Sequence, residues 1–148
     1  RCRALLEEFV RGRFEDATVV RLPGMFGPGL KKNLVYDLIH QPGARFAHEA
    51  STFQFYDVRD LWGHVLLARD AGLQVVNLAT EPVSSAQVAR ECFGVDYRCD
   101  DRPQVGYDLR TQHAQDLAGR EGPYLRSAGE VLAAVRAWGA RELAQVGA

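Results

Sequence analysis

The residues able to do chemistry are spread thinly along this chain. His40, His48, His64 and His113 are scattered, with no pair at a ligand spacing, and they read as solvated or capping side chains. Cys2, Cys92 and Cys99 form no CxxC pair and have no spaced histidines, which argues against a zinc site. No serine occupies a GxSxG elbow, and no GxGxxG or GxxxxGK loop is present to cradle a phosphate. The segment GMFGPG (24–29) matches such a loop only in composition. It lies inside VVRLPGMFGPGLKKN (19–33), where a β-branched run meets a cluster of glycine and proline. Two readings fit: an irregular turn ending a strand, or a ligand loop at a strand's carboxyl end, where open α/β sheets bind their ligands. Glycine and proline punctuate loops generally, so composition by itself favours the turn. Lys31-Lys32 reads as a solvated helix start, with contact to a substrate anion as the alternative. Phe53, Phe55 and Tyr56 read as core, because strands favour aromatics. From the residues alone no complete catalytic constellation emerges.

The elements that must position these residues alternate between helix and strand. Leu5, Leu6, Phe9 and Val10 recur at helical spacing, with Gly12 as the stop. ATVVRL (17–22) reads as a buried strand. Leu30, Leu34, Val35, Leu38 and Ile39 form a second helical stripe, ended by Gln41-Pro42-Gly43. STFQFYDV (51–58) reads as one strand, and Asp57 or Asp60 caps a helix running to about Gly72. LQVVNLA (73–79) is a third strand. Ser84 and Gln87 have capping-box spacing, and Gly94 closes the helix they start. Residues 95–124 are weakly patterned, with one expected strand near Val105. A second capping box, Ser127 and Glu130, opens a terminal helix with Val131, Val135 and Trp138 on one face. Such alternation predicts an α/β protein.

The totals bound the class. A chain of 148 residues is long enough for one domain with a real core, and shares of 47% hydrophobic and 25% charged residues are ordinary for a globular protein. Eighteen basic against nineteen acidic residues, with no long basic run, do not recommend nucleic acid as a partner. Apolar runs fall short of a membrane span and no signal peptide heads the chain, so a cytoplasmic protein with reduced thiols is expected. The chain begins at Arg1 inside a predicted helix, which reads as a segment of something longer.

RLPGMFGPG, then FQFYDVRDLW, then LQVVNLATEPVSSAQVA and a terminal amphipathic helix resemble, in that order, the extended short-chain dehydrogenase/reductases, the NAD-dependent epimerase/dehydratase family. The resemblance spans nearly the whole chain but only that family's C-terminal half. Arg21, Phe26, Gly27 and Pro28 fit its Arg-x-x-Asn-x-Tyr-Gly-Pro segment; Phe55 and Asp60 fit a later strand-to-helix motif; Asn77 to Ser84 fit Asn-x-(Ala/Gly)-Thr/Ser. The resemblance implies residues 1–148 supply the last strands of a Rossmann-like parallel sheet plus a small substrate-binding lobe. It implies NAD or NADP as cofactor in the intact protein, with the backbone at Pro23 and Gly24 near the nicotinamide. Lys31, Asn33, Phe53 and Gln54 would shape the pocket of a small-molecule substrate.

The departures are informative. The glycine-rich dinucleotide loop belongs to an N-terminal half that is absent here. Glu7 fits the acid that often follows the catalytic lysine of the family by four residues, which puts Arg3 at the lysine position. Arginine keeps the charge there but not lysine's geometry. Gly24 replaces a substrate-side asparagine, and Phe53 and Gln54 occupy positions that often hold Arg-Asp against a nucleotide-sugar. A smaller or less anionic substrate is therefore expected. The chain alone is expected to be inactive and to self-associate, as a homodimer or aggregate, through uncovered sheet. The alternative is a non-catalytic binding or scaffold protein that kept the fold.

The cysteines give a direct test. All three are expected as free thiols, with Cys92 the least reactive because it falls on the apolar face of the capped helix. Titration of the native chain with a chromogenic disulfide should find Cys92 slowest, and a Cys92–Cys99 bridge surviving mild reductant would contradict it.

Overall fold

The computed structural model describes residues 2–41, 43, 45 and 47–146. Helix α1 (Cys2–Arg13) runs through Gly12 rather than stopping there, and none of its residues is buried. Leu5, Leu6 and Phe9, the apolar stripe that predicted it, are each more than half exposed. An ion pair ties α1 to the next strand: Arg21 donates to Glu7 at 2.6 Å. That strand, β1 (Val19–Arg21), is shorter than expected and half-buried, not buried. It pairs in parallel with β5 (Val75–Asn77), Val19 opposite Val75 and Arg21 opposite Asn77.

The segment after β1 is not all loop. Gly24–Phe26 form β2, parallel to β4 (Phe55–Asp57), with Gly24 opposite Phe55. Nor is 51–58 one strand. It breaks at Gln54, and β3 (Thr52–Phe53) pairs antiparallel with β6 (Val83–Ser84), in a different sheet from β4. The second helix, α2 (Leu34–His40), starts at its Asn33 cap, leaving Leu30 outside it. The expected stop falls partly on Pro42, which lies outside the described residues; the helix itself ends at His40. Asp57 caps a single 3-10 turn (Val58–Asp60), which leads into α3 (Leu61–Asp70).

The local signals for α4 (Ser85–Phe93) are met in full. Ser84 and Gln87 form the reciprocal capping box, and Gly94 closes the helix in the left-handed conformation at φ 66°. The weakly patterned region contains a short helix, α5 (Ala114–Ala118), and no strand; near Val105 there is one isolated bridge, Thr52 to Gly106. The last helix is α6 (Ala128–Val146).

Strand β4 divides the interior because successive strand side chains face opposite ways. Phe55 enters one core with Phe26, Val35, Val83, Val88 and Val135. Tyr56 enters a second with Ala68, Val76, Leu78 and Leu117. Val131, Val135 and Trp138 of α6 are buried together, as their spacing predicts. The cysteines are free. Cys2 is exposed, Cys92 is half-buried and Cys99 is buried. Burial pushes the Cys92 thiol up to about 11. No helix among the described residues is long and apolar enough to cross a membrane.

The start of α6 generates a pH prediction. Glu130 binds the Arg120 guanidinium at 2.6 Å and accepts from the Ser127 amide and hydroxyl. These contacts, Arg120 foremost, hold its carboxyl down at about 2 against an ordinary 4.5. A depressed carboxylate stabilises the fold fully above its unfolded pKa and loses that contribution as pH falls through the folded one. Glu130 is half exposed, so solvent screening limits the effect to about 1 kcal/mol or less. Glu130→Gln should therefore lower stability at neutral pH and flatten the loss between about pH 4.5 and about pH 2, read by urea titration across pH.

Candidate functional site

A cavity of about 770 Å³ opens where the chain leaves β1. Leu22, Pro23 and Gly24 form one part of its lining, and the α2 start another, with Lys32, Asn33 and Asp37. Phe53, Gln54 and Phe55 line it from the β3–β4 break, and Tyr107 and Leu109 from the segment before α5. Five residues singled out from the sequence thus share one cavity: Pro23, Gly24, Asn33, Phe53 and Gln54. Lys31 is exposed, and its neighbour Lys32 stands in the wall instead. Arg3 is exposed on α1, apart from the cavity lining. Its expected neighbour Glu7 is engaged by Arg21.

Gly24 is required by close packing. A Cβ there would lie 2.8 Å from the Gln54 carbonyl oxygen, so only glycine lets β2 approach the chain at this point. Asn33 is the one non-glycine residue with positive φ among the described residues, at 154°. Its Oδ1 accepts from the Val35 and Tyr36 amides at 3.0 and 3.1 Å, closing the start of α2. Its Nδ2 donates to the Met25 carbonyl at 2.7 Å, folding the glycine-rich loop back on the helix.

Gln54 is buried, and its amide is committed to the backbone. Nε2 donates to the carbonyls of Thr80 at 2.5 Å and Leu109 at 2.7 Å, while Oε1 accepts from the Leu109 amide at 2.7 Å. Both donors are therefore spent within the fold. Phe53 stacks on Tyr107, with ring centroids 5.7 Å apart and planes 26° from parallel. Asp37 is partly buried, which pushes its carboxyl up; Lys32 pulls it back.

Tyr107, Leu109 and Asp37 were missed by sequence reasoning. Segment 105–110 has no periodicity to detect because its bonds run to distant parts of the chain, to the Thr52 backbone and to side chains. The Val105 amide donates to Ser51 Oγ at 3.0 Å, Leu109 is held by Gln54, and Asn77 donates to the Arg110 carbonyl at 2.8 Å.

On the other side of β4 lies a cluster of paired charges. The Tyr56 hydroxyl and His64 Nδ1 are 2.7 Å apart. Burial pushes the tyrosine up and the histidine down. His64 is thus a half-buried partner of Tyr56, not the solvated or capping residue expected. Asp57 takes Arg59 and Asp60 takes Arg126, both at 2.5 Å.

No family model matches this chain, and no curated protein does. Solved structures match it by shape. It superposes on a UDP-N-acetylglucosamine 4-epimerase from Methanobrevibacter ruminantium, in complex with UDP-N-acetylmuramic acid, with TM-score 0.68 and 14% identity, over 95% of this chain and 51% of that one. A dTDP-glucose 4,6-dehydratase from Bacillus anthracis in complex with NAD matches with TM-score 0.64 and 13% identity, over 94% and 49%. RMD from Pseudomonas aeruginosa, complexed with NADPH, matches with TM-score 0.63 and 17% identity, over 93% and 53%. This chain shares its fold with about half of each of these Rossmann-like structures. It spans about half the length of the solved structures it matches.

Replacing Gln54 tests the cavity's construction. Gln54→Leu leaves the Thr80 carbonyl and both Leu109 backbone groups without their partner, at a cost of about 2–4 kcal/mol. Hydrogen exchange should show the loss concentrated at residue 109 and its neighbours. An unchanged exchange profile would mean that the side chain does not hold that segment.

Proposed function

We propose that this chain is the substrate-binding half of an NAD(P)-dependent epimerase, dehydratase or reductase acting on a sugar-like or other small hydroxyl or carbonyl compound. The observation that carries this reading is the convergence of Pro23, Gly24, Asn33, Phe53 and Gln54 on one cavity at the carboxyl end of β1. In open α/β sheets that is where ligands bind. The half-fold supports it further.

The cofactor fits this chain only at its nicotinamide end. Pro23 and Gly24 offer backbone to a flat ring beside the cavity, and Arg3 of α1 would bring a positive charge near ribose and a proton-transferring tyrosine. Nothing described here suits the pyrophosphate. The first amides of α2 are closed by Asn33, and α4 is closed by Ser84. A glycine-rich turn at a free helix N-terminus is what that group needs. When bound, NAD(P) supplies hydride transfer; this chain's part is to seat and orient the substrate beside it.

The partner is then a dinucleotide-binding half. The uncovered apolar face of α1 and the free edge of the three-residue strand β1 suit such a partner. Parallel sheets are ordinarily covered on both faces and built from more strands than two. Without that partner the same surfaces favour a homodimer or aggregate.

Calorimetric titration with NAD and NADP, alongside light scattering, checks this. The chain alone should bind either cofactor no tighter than about millimolar and should self-associate. Co-expression with a glycine-rich dinucleotide half should yield a monodisperse complex that binds one of them. A stable monomer with micromolar affinity for either cofactor would overturn the reading.

A further inference from the structure

We propose that the cavity selects a neutral ligand that combines a flat ring with hydroxyl or amine groups, and that it rejects a nucleoside diphosphate. This assignment rests on the cavity being the substrate site and narrows the substrate class.

The polar groups of the lining point to it. A diphosphate brings at least two negative charges and is held by several charge-assisted donors, most often arginine forks. Among the described residues, the only charged ones of this lining are Lys32 and Asp37, which sum to zero. The donors that composition promises are already used. Gln54 gives both N–H groups to backbone carbonyls, Asn33 gives one to Met25, and the α2 amides at Val35 and Tyr36 are taken by Asn33 itself. Arg59, Arg120 and Arg126 line a different cavity, and each is paired with a carboxylate.

What remains available is apolar and aromatic. Leu22, Leu34, Phe55 and Leu109 line the cavity beside the Phe53–Tyr107 stack. Tyr107 is 59% exposed although its ring stands in a cavity wall, so it offers a face on which a third ring can stack. Its hydroxyl makes no hydrogen bond to the described residues, and neither does the Asp37 carboxylate. Asp37 can accept from a ligand hydroxyl or amine, and Lys32 can donate to an oxygen. A volume of about 770 Å³ suits a small molecule of this kind.

The experiment compares two probes on the full 148-residue chain by saturation-transfer NMR and calorimetry: para-nitrophenyl β-D-glucoside, neutral with an aryl ring, and UDP-glucose. The aryl glucoside should bind roughly tenfold tighter or more, with little change between about 50 and about 500 mM salt. Tyr107→Ser and Phe53→Ser should each weaken it by about fivefold or more. Tyr107 is exposed, so its variant keeps the fold and the test does not depend on Phe53→Ser folding. UDP-glucose binding as tightly or tighter, with loss in Lys32→Ala or at high salt, would overturn the proposal, and so would failure of the aryl glucoside to bind. The two readings fail separately. UDP-glucose binding refutes this one and leaves the NAD(P) reading intact. Aryl glucoside binding without any cofactor-binding complex does the reverse.

Discussion

The buried amide of Gln54 is the constraint on which the rest of this structure depends. Placed mid-strand, a side chain with two donors and an acceptor must find three partners or stay in water. It finds the Thr80 carbonyl and both backbone groups of Leu109. The chain then breaks at residue 54, so that β3 joins β6 while β4 joins β2. Gly24 follows from the same arrangement, because the Gln54 carbonyl leaves no room for a Cβ opposite it. The aromatic wall follows too, since holding Leu109 keeps Tyr107 within stacking distance of Phe53.

On either side of β4 the two cores are stabilised differently. The Phe55 side is closed by α2, α4 and α6 through aliphatic and aromatic packing, with Phe26 and Trp138 rings 6.1 Å apart. The Tyr56 side ends in paired charges and the Tyr56–His64 hydrogen bond. Asp57 is buried under a forked contact from Arg59 and also accepts the Arg59 amide, so one carboxylate shapes the 3-10 turn between β4 and α3. Asp60 is drawn instead to Arg126, which ties the start of α3 to the approach of α6, and this is why it caps nothing through its side chain. Phe55 in the cavity lining and Tyr56 beside His64 therefore lie on opposite faces of one short strand.

Among the described residues the strands are two or three residues long, and each sheet has two. Pairs of that size contribute little independently; tertiary packing carries them. Around β2, β3, β4 and β6 that packing is present. Around α1 and β1 it is missing: an amphipathic helix shows its apolar face to water, and a β-branched strand has one partner. The imbalance agrees with a chain that spans half of each Rossmann-like structure it matches.

Helix α4 is written in its own residues. Ser84, Gln87 and Gly94 act within one or two turns, so their signal needs no other part of the chain, and the same holds for Ser127 with Glu130 and for the α6 face of Val131, Val135 and Trp138. Pro23, Gly24, Asn33, Phe53 and Gln54 were picked out by motifs that follow one another in a set order, and the fold brings these five to the lining of one cavity. It could not reveal β2, β6 or the break at Gln54. Two- and three-residue strands exist only because a partner some 30 residues away offers matching backbone groups, as Phe53 meets Val83 and Gly24 meets Phe55. Only tertiary structure decided that Gln54 and Asn33 spend their amides on the backbone, that Lys32 and not Lys31 enters the wall, and that Tyr107 joins it. A side chain's hydrogen bonds depend on which carbonyls the folded chain brings near, and composition does not carry that information.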